Sequence, residues 1–185
     1  MAASPATPSR SDARRASPLT VLAASLLLDA VAGWLIIARH PRIAGLAALV
    51  GGLGLLAGTA AARRGRERFA ELVVDRLFDT AILVPLAWAW RVPSPRLAGL
   101  ALIGLAASFV ASYERARGQS LGYRGRETLG YRAARVGLLV GGLLTGWLTA
   151  ALVGFYAVTL GAVVVRAWNV ALQERRARAA HGGAR

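Results

Sequence analysis

Four acids recur at intervals of four in E-R-F-A-E-L-V-V-D-R-L-F-D, over residues 67–79: Glu67, Glu71, Asp75 and Asp79. Side chains four apart share one helix face, and each step of four turns about 400°, so Glu71, Asp75 and Asp79 fall within an arc of roughly 80°. Such a row is a hard-oxygen ligand set of the kind that suits Mg²⁺, Mn²⁺ or Ca²⁺. A cation held there could neutralise a pyrophosphate and polarise a phosphoryl bond, while a spare carboxylate accepts a proton from an incoming hydroxyl. The stripe runs directly into I-L-V-P-L-A-W-A-W, which is uncharged until Arg91. An ionised acid inside a membrane span costs about 2.5 to 3.5 kcal/mol, so Asp75 and Asp79 read as functional acids. A structural ion pair with Arg76 is the competing reading. Glu67 reads first as a surface partner of Arg63, Arg64 and Arg68.

A second set of residues is basic. Arg115, Arg117, Arg124, Arg126, Arg132 and Arg135 lie within residues 113–135, accompanied by Tyr113, Glu114, Glu127 and Tyr131. Guanidinium groups at headgroup level form a phosphate site, or serve membrane topology alone; the residues leave both open. The absence of cysteine removes disulfides and thiolate metal sites, and His40 and His181 fall outside the apolar blocks, which disfavours a histidine metal site.

The elements that must position these groups are apolar. Of 185 residues 56% are hydrophobic, and long apolar blocks alternate with short arginine-rich ones, the pattern of a polytopic all-α membrane protein. Residues 1–17 read as a disordered basic cytoplasmic tail, residues 18–172 as a membrane domain and residues 173–185 as a basic C-terminal tail. Spans are predicted over 19–38 and 43–62, then from the acidic stripe to about Trp90, and from the turn at 91–96 to about Ser112. The uncharged stretch 136–165, extended to Leu172, would exceed 50 Å as one helix, so it folds into a hairpin turning near residues 146–150 and supplies spans five and six. Gly51, Gly52, Gly54 and Gly58 thin the second span for close helix approach. Asp29, near the middle of the first, is either a packing acid or part of a polar site.

Six spans put both termini on one side. That side carries seventeen arginines against four on the other, which predicts cytoplasmic termini and a cytoplasmic acidic stripe in the plasma membrane. The net charge of +14 is accounted for by this topology, with anionic lipid or phosphate the next candidates. Nucleic acid is not expected, since neither a soluble domain nor interleaved aromatics support it.

L-V-V-D-R-L-F-D-T-A-I-L, followed by A-S-Y-E-R-A-R-G-Q-S-L-G-Y and Y-R-A-A-R-V, resembles the CDP-alcohol phosphatidyltransferases, nearest the actinobacterial type that uses inositol phosphate. The resemblance covers most of residues 19–172 in span arrangement and is motif-level only in spans three and four and the loop after them. It implies a six-span, cytoplasmic-facing, homodimeric enzyme. Such an enzyme moves a phosphatidyl group from CDP-diacylglycerol to a small alcohol or alcohol phosphate, releasing CMP, with Mg²⁺ or Mn²⁺ bound by four aspartates of D-x-x-D-G-x-x-A-R and G-x-x-x-D-x-x-x-D.

In one register Asp75 is the last aspartate and the base, with Glu71 and Asp79 beside it as metal ligands. In the other, Asp75 and Asp79 are the third and fourth aspartates and Ala62-Arg63 stands for the A-R pair. Arg63, Arg115, Arg117, Arg132 and Arg135 become phosphate or nucleotide contacts. Neither register finds the first two aspartates, because no Asp or Glu occurs between Val31 and Arg66. Three functions therefore stand: the transferase, a catalytically silent homologue paired with an active one, or a small transport or scaffold protein.

Overall fold

The computed structural model describes residues 17–61, 65–123 and 129–182, so residues 1–16, 62–64, which include Arg63 and Arg64, 124–128 and 183–185 lie outside it. All regular structure among the described residues is helical: α1 (Pro18–Ile37), α2 (Pro41–Ala61), α3 (Arg66–Trp90), α4 (Pro95–Ser120), α5 (Leu129–Thr145) and α6 (Leu148–Gly182).

Local chemistry explains where these helices start and stop. Pro18, Pro41 and Pro95 open α1, α2 and α4, where a missing N–H costs nothing. Ser17 caps α1, its hydroxyl accepting from the Thr20 amide at 3.2 Å. α1 ends in a Schellman motif, with His40 N–H bonded to Leu35 O and Arg39 N–H to Ile36 O, and Arg39 takes the left-handed conformation at φ 66°. Gly122, at φ 84°, closes the same motif on α4, with Tyr123 N–H bonded to Gly118 O.

Four helices are long and apolar enough to cross a membrane: α1, α2, α4 and the Leu148–Gln173 part of α6. Their outward faces expose large apolar residues such as Leu27, Trp34, Leu46, Val110, Val164 and Trp168. A surface so apolar around helices of this length marks a membrane protein. α3 and α5 carry the buried acids and arginines that pair with one another, and α1 carries the buried Asp29.

The helices close into a ring, each packing chiefly on two neighbours in the order α1, α2, α5, α6, α4, α3 and back to α1, with α2 and α3 also touching. Small residues set the seams. Asp29 lies against Gly51, Ser25 against Gly54 and Leu22 against Gly58, an antiparallel match of α1 to α2. Gly45 meets Leu144 and Gly52 meets Val136 along α2 and α5, and Gly142 meets Ala151 across the α5–α6 hairpin. Gly33 faces the backbone oxygen of Ala81, the carbonyl that Pro85 of α3 leaves without its helical donor. Phe78, Leu55, Leu139, Leu143 and Phe155 fill the interior.

Three boundaries differ from the sequence reading. α4 runs to Ser120 rather than stopping near Ser112, because E-R-A-R-G-Q contains no strong breaker and the helix continues until Gly122 turns it. α5 begins at Leu129 rather than Val136, which moves Arg132 and Arg135 from a connecting loop into a helix whose buried face they share with Val136 and Leu139. The expected C-terminal tail, residues 173–185, is helical as far as Gly182 as a continuation of α6. Polarity alone does not mark a loop, because charged residues with good helix propensity extend a helix beyond its apolar part.

Candidate functional site

The acids of α3 turn inward. Glu71, Asp75 and Asp79 are all buried, on the face that α5 and α4 cover, as their four-residue spacing requires. Each meets a guanidinium. Arg132 pairs with Glu71 and donates to Thr59 Oγ1 of α2 at 3.0 Å. Asp75 is paired with its neighbour Arg76 and has Arg135 Nη1 at 3.6 Å. Asp79 Oδ2 accepts from Arg135 and from the hydroxyl of Ser108, and lies 3.2 Å from Arg76 Nη1. Arg76 also donates to the Ser108 backbone oxygen at 2.8 Å.

Arg135 is the centre of this arrangement and one of the largest fully buried side chains, only 2% exposed. Its guanidinium stands 5.1 Å from the Phe155 ring centroid and 5.4 Å from that of Tyr131, so aromatic faces cover what the carboxylates do not. A separate pair joins α4 to α6: Arg166 Nε donates to Glu114 at 2.7 Å and its Nη2 to Ala111 O at 3.2 Å. Three negative charges on α3 thus face three positive ones, Arg76, Arg132 and Arg135, in a dry interior where pairing and hydrogen bonding are what make burial of charge tolerable.

The residues do not fit a divalent metal as they stand. A Mg²⁺ or Mn²⁺ ion requires carboxylate oxygens free to converge on it, and here guanidinium groups hold each of the three carboxylates. Among the described residues no three His, Cys, Asp or Glu side chains group as a metal site would need. The facing stretch of α2 contributes Gly52, Leu55 and Thr59 to the interior, not acids.

The structure therefore brings together Glu71, Asp75, Asp79, Arg132 and Arg135, but as ion pairs rather than as a metal cage beside a phosphate cradle. Arg117 is exposed on the last turn of α4 and Arg115 is half-buried two residues before it. Arg63 lies outside the described residues. The sequence reading missed Ser108, Thr59 and the Glu114–Arg166 pair. Arg166 carried a signal, being one of two arginines left inside predicted spans; Ser108 and Thr59 carried none, since a hydroxyl in an apolar helix is ordinarily satisfied by its own backbone.

Asp29 is the buried acid, among the described residues, that the network does not include. It is fully buried at the α1–α2 seam, and among the described residues neither carboxyl oxygen has a hydrogen-bond partner. The chain matches no protein-family model and no curated protein.

Proposed function

We propose that this chain is a catalytically silent, phosphatidyltransferase-like membrane protein that pairs with an active phosphatidyltransferase of phospholipid synthesis. The observation that carries the reading is the one-for-one matching of Glu71, Asp75 and Asp79 by Arg132, Arg76 and Arg135. A metal-dependent transferase needs those carboxylates to hold cations that bridge the phosphates of CDP-diacylglycerol. Here the same spacing along one helix face supports a salt-bridge core instead, and α2 supplies no acids to complete a cage.

In this reading all six helices span the plasma membrane, with both termini and the charged end of the ring on the cytoplasmic side. Support comes from the arginine asymmetry of the sequence and from the tight turns at residues 38–40, 91–94 and 146–147, which join antiparallel neighbours at the other end. Arg117 and the basic extension of α6 then lie at the cytoplasmic headgroups, where anionic lipids attract arginine.

The test is direct. Full-length protein purified with Mg²⁺ or Mn²⁺ is mixed with CDP-diacylglycerol and, in turn, glycerol phosphate, inositol phosphate and inositol. The expected outcome is neither CMP release nor nucleotide binding, together with co-purification of an active phosphatidyltransferase from the native membrane. CMP release that is lost in Asp75→Asn would overturn silence and restore the transferase reading, with Asp75 as base and Glu71 and Asp79 as metal ligands.

A further inference from the structure

Asp29 has a position that no ion pair explains. It is the twelfth residue of the twenty in α1, and no other ionisable side chain occurs in that helix. Its exposure is 0%, and its Oδ1 occupies the place a side chain at Gly51 would fill: a Cβ there would land on that oxygen, with Ser25 O 3.2 Å away. Among the described residues the surroundings offer no compensating charge. α2 carries only Arg42, in its first turn at the far end. The buried charges of α3, namely Glu71, Asp75, Arg76 and Asp79, are engaged with Arg132 and Arg135 of α5 and Ser108 of α4. Ser25, one turn before Asp29 on the same face, spends its hydroxyl on Val21 O at 2.8 Å.

A carboxylate there would be an unpaired charge in a dry, glycine-lined seam, whereas a carboxylic acid needs no counter-ion. We infer that Asp29 is a proton-binding site of the membrane interior, holding its proton while α1 and α2 are closed on each other. On release, the O–H bond breaks, its electron pair remains on the carboxyl oxygen and the proton passes to water. The charged form then requires water or a donor, which the closed seam lacks, so ionisation and parting of α1 from α2 are coupled. The site takes a proton rather than a metal cation, because no second carboxylate faces it and the nearby Ser25 hydroxyl is already committed.

The experiment uses the full chain in phosphatidylcholine vesicles, followed by infrared spectroscopy. At neutral pH the wild type minus Asp29→Asn difference is expected to contain the carbonyl band of a protonated carboxyl, which shifts in D₂O and has equal intensity in sodium and choline chloride. Raising the pH is expected to cut the band at least tenfold. At the same time, a thiol pair introduced at Leu22→Cys and Gly58→Cys should lose disulfide formation across the seam. Carboxylate bands in place of the protonated one at neutral pH would overturn the inference, as would a twofold or greater loss of the band on replacing choline by sodium, which would mark a cation site. Should Asp29→Asn fail to fold, ¹³C-aspartate labelling of the wild type, which has four aspartates, gives the same reading. A protonated-carboxyl signal at neutral pH supports the site and its absence overturns it. Neither outcome depends on whether the protein turns over CDP-diacylglycerol.

Discussion

Arg135 shows why a buried charge network is a commitment rather than a bonus. Replacing a whole buried ion pair by apolar groups is often neutral, but removing one partner strands the other and costs about 3 to 5 kcal/mol. Arg135→Met would leave Asp79 to Arg76 and the Ser108 hydroxyl alone and loosen Asp75, so we expect a loss of stability of up to that size, read as the midpoint of helix loss under denaturant in detergent. The double variant Arg135→Met with Asp79→Asn should cost clearly less than the sum of the single ones; strict additivity would show that the pair is not coupled. The acids were legible from their spacing, which put them on one face. Arg76 was legible as a partner because it adjoins Asp75 in the sequence; Arg132 and Arg135 were not, because they sit more than fifty residues away, in a stretch whose polarity suggested a loop.

At the level of elements, the glycines separate into those that set a seam and those that do not. A Cβ at Gly33 would stand 2.6 Å from Ala81 O, a backbone atom that cannot swing aside, whereas Gly99 and Gly137 have nothing within 4 Å. Gly33→Ala should therefore destabilise by about 1 to 3 kcal/mol, the range for overpacking. Gly99→Ala and Gly137→Ala should be neutral or stabilising by roughly 0.5 to 1 kcal/mol, since alanine restricts the unfolded chain and suits a helix. The same denaturant midpoints check all three, and equal losses at the three sites would contradict the seam assignment. Gly146 is a different case: its φ of 81° lets α5 turn into α6, with Thr145 Oγ1 accepting from Trp147 N–H at 3.3 Å. Gly146→Val should weaken that hairpin by about 1 to 2 kcal/mol through left-handed strain.

For the whole molecule, the ring closes charge upon charge, so we expect stability to be independent of divalent metal. A metal bound to the folded state alone at a hundred times its dissociation constant would add about 2.7 kcal/mol. Titrating Mg²⁺ or Mn²⁺, or removing them with a chelator, should leave the unfolding midpoint where it is; a stabilisation of that order would revive the metal site. Topology can be read with the same molecule, because the chain lacks cysteine. Single cysteines at Val92 and Trp147, both well exposed, should react with an impermeant thiol reagent from one face of a sealed vesicle, and one at Gln119 from the other. Reaction of all three from one face would break the proposed arrangement of spans.

By itself the sequence determined that the chain is helical and apolar at membrane length, and that three acids share one helix face. These are local properties, set by residue type and by a fixed helical period. The distant partners of those acids, Arg132 and Arg135, were decided only by the closed ring of helices. Tertiary packing chose between two neutralising agents of equal charge logic, cations or arginines, by letting Arg132 and Arg135 of α5 reach across the interior of the ring to the acids of α3 and leaving α2 without acids. It also left Asp29 alone against Gly51, because the seam that buries the acid is made by two helices whose sequences hold no opposite charge at that depth.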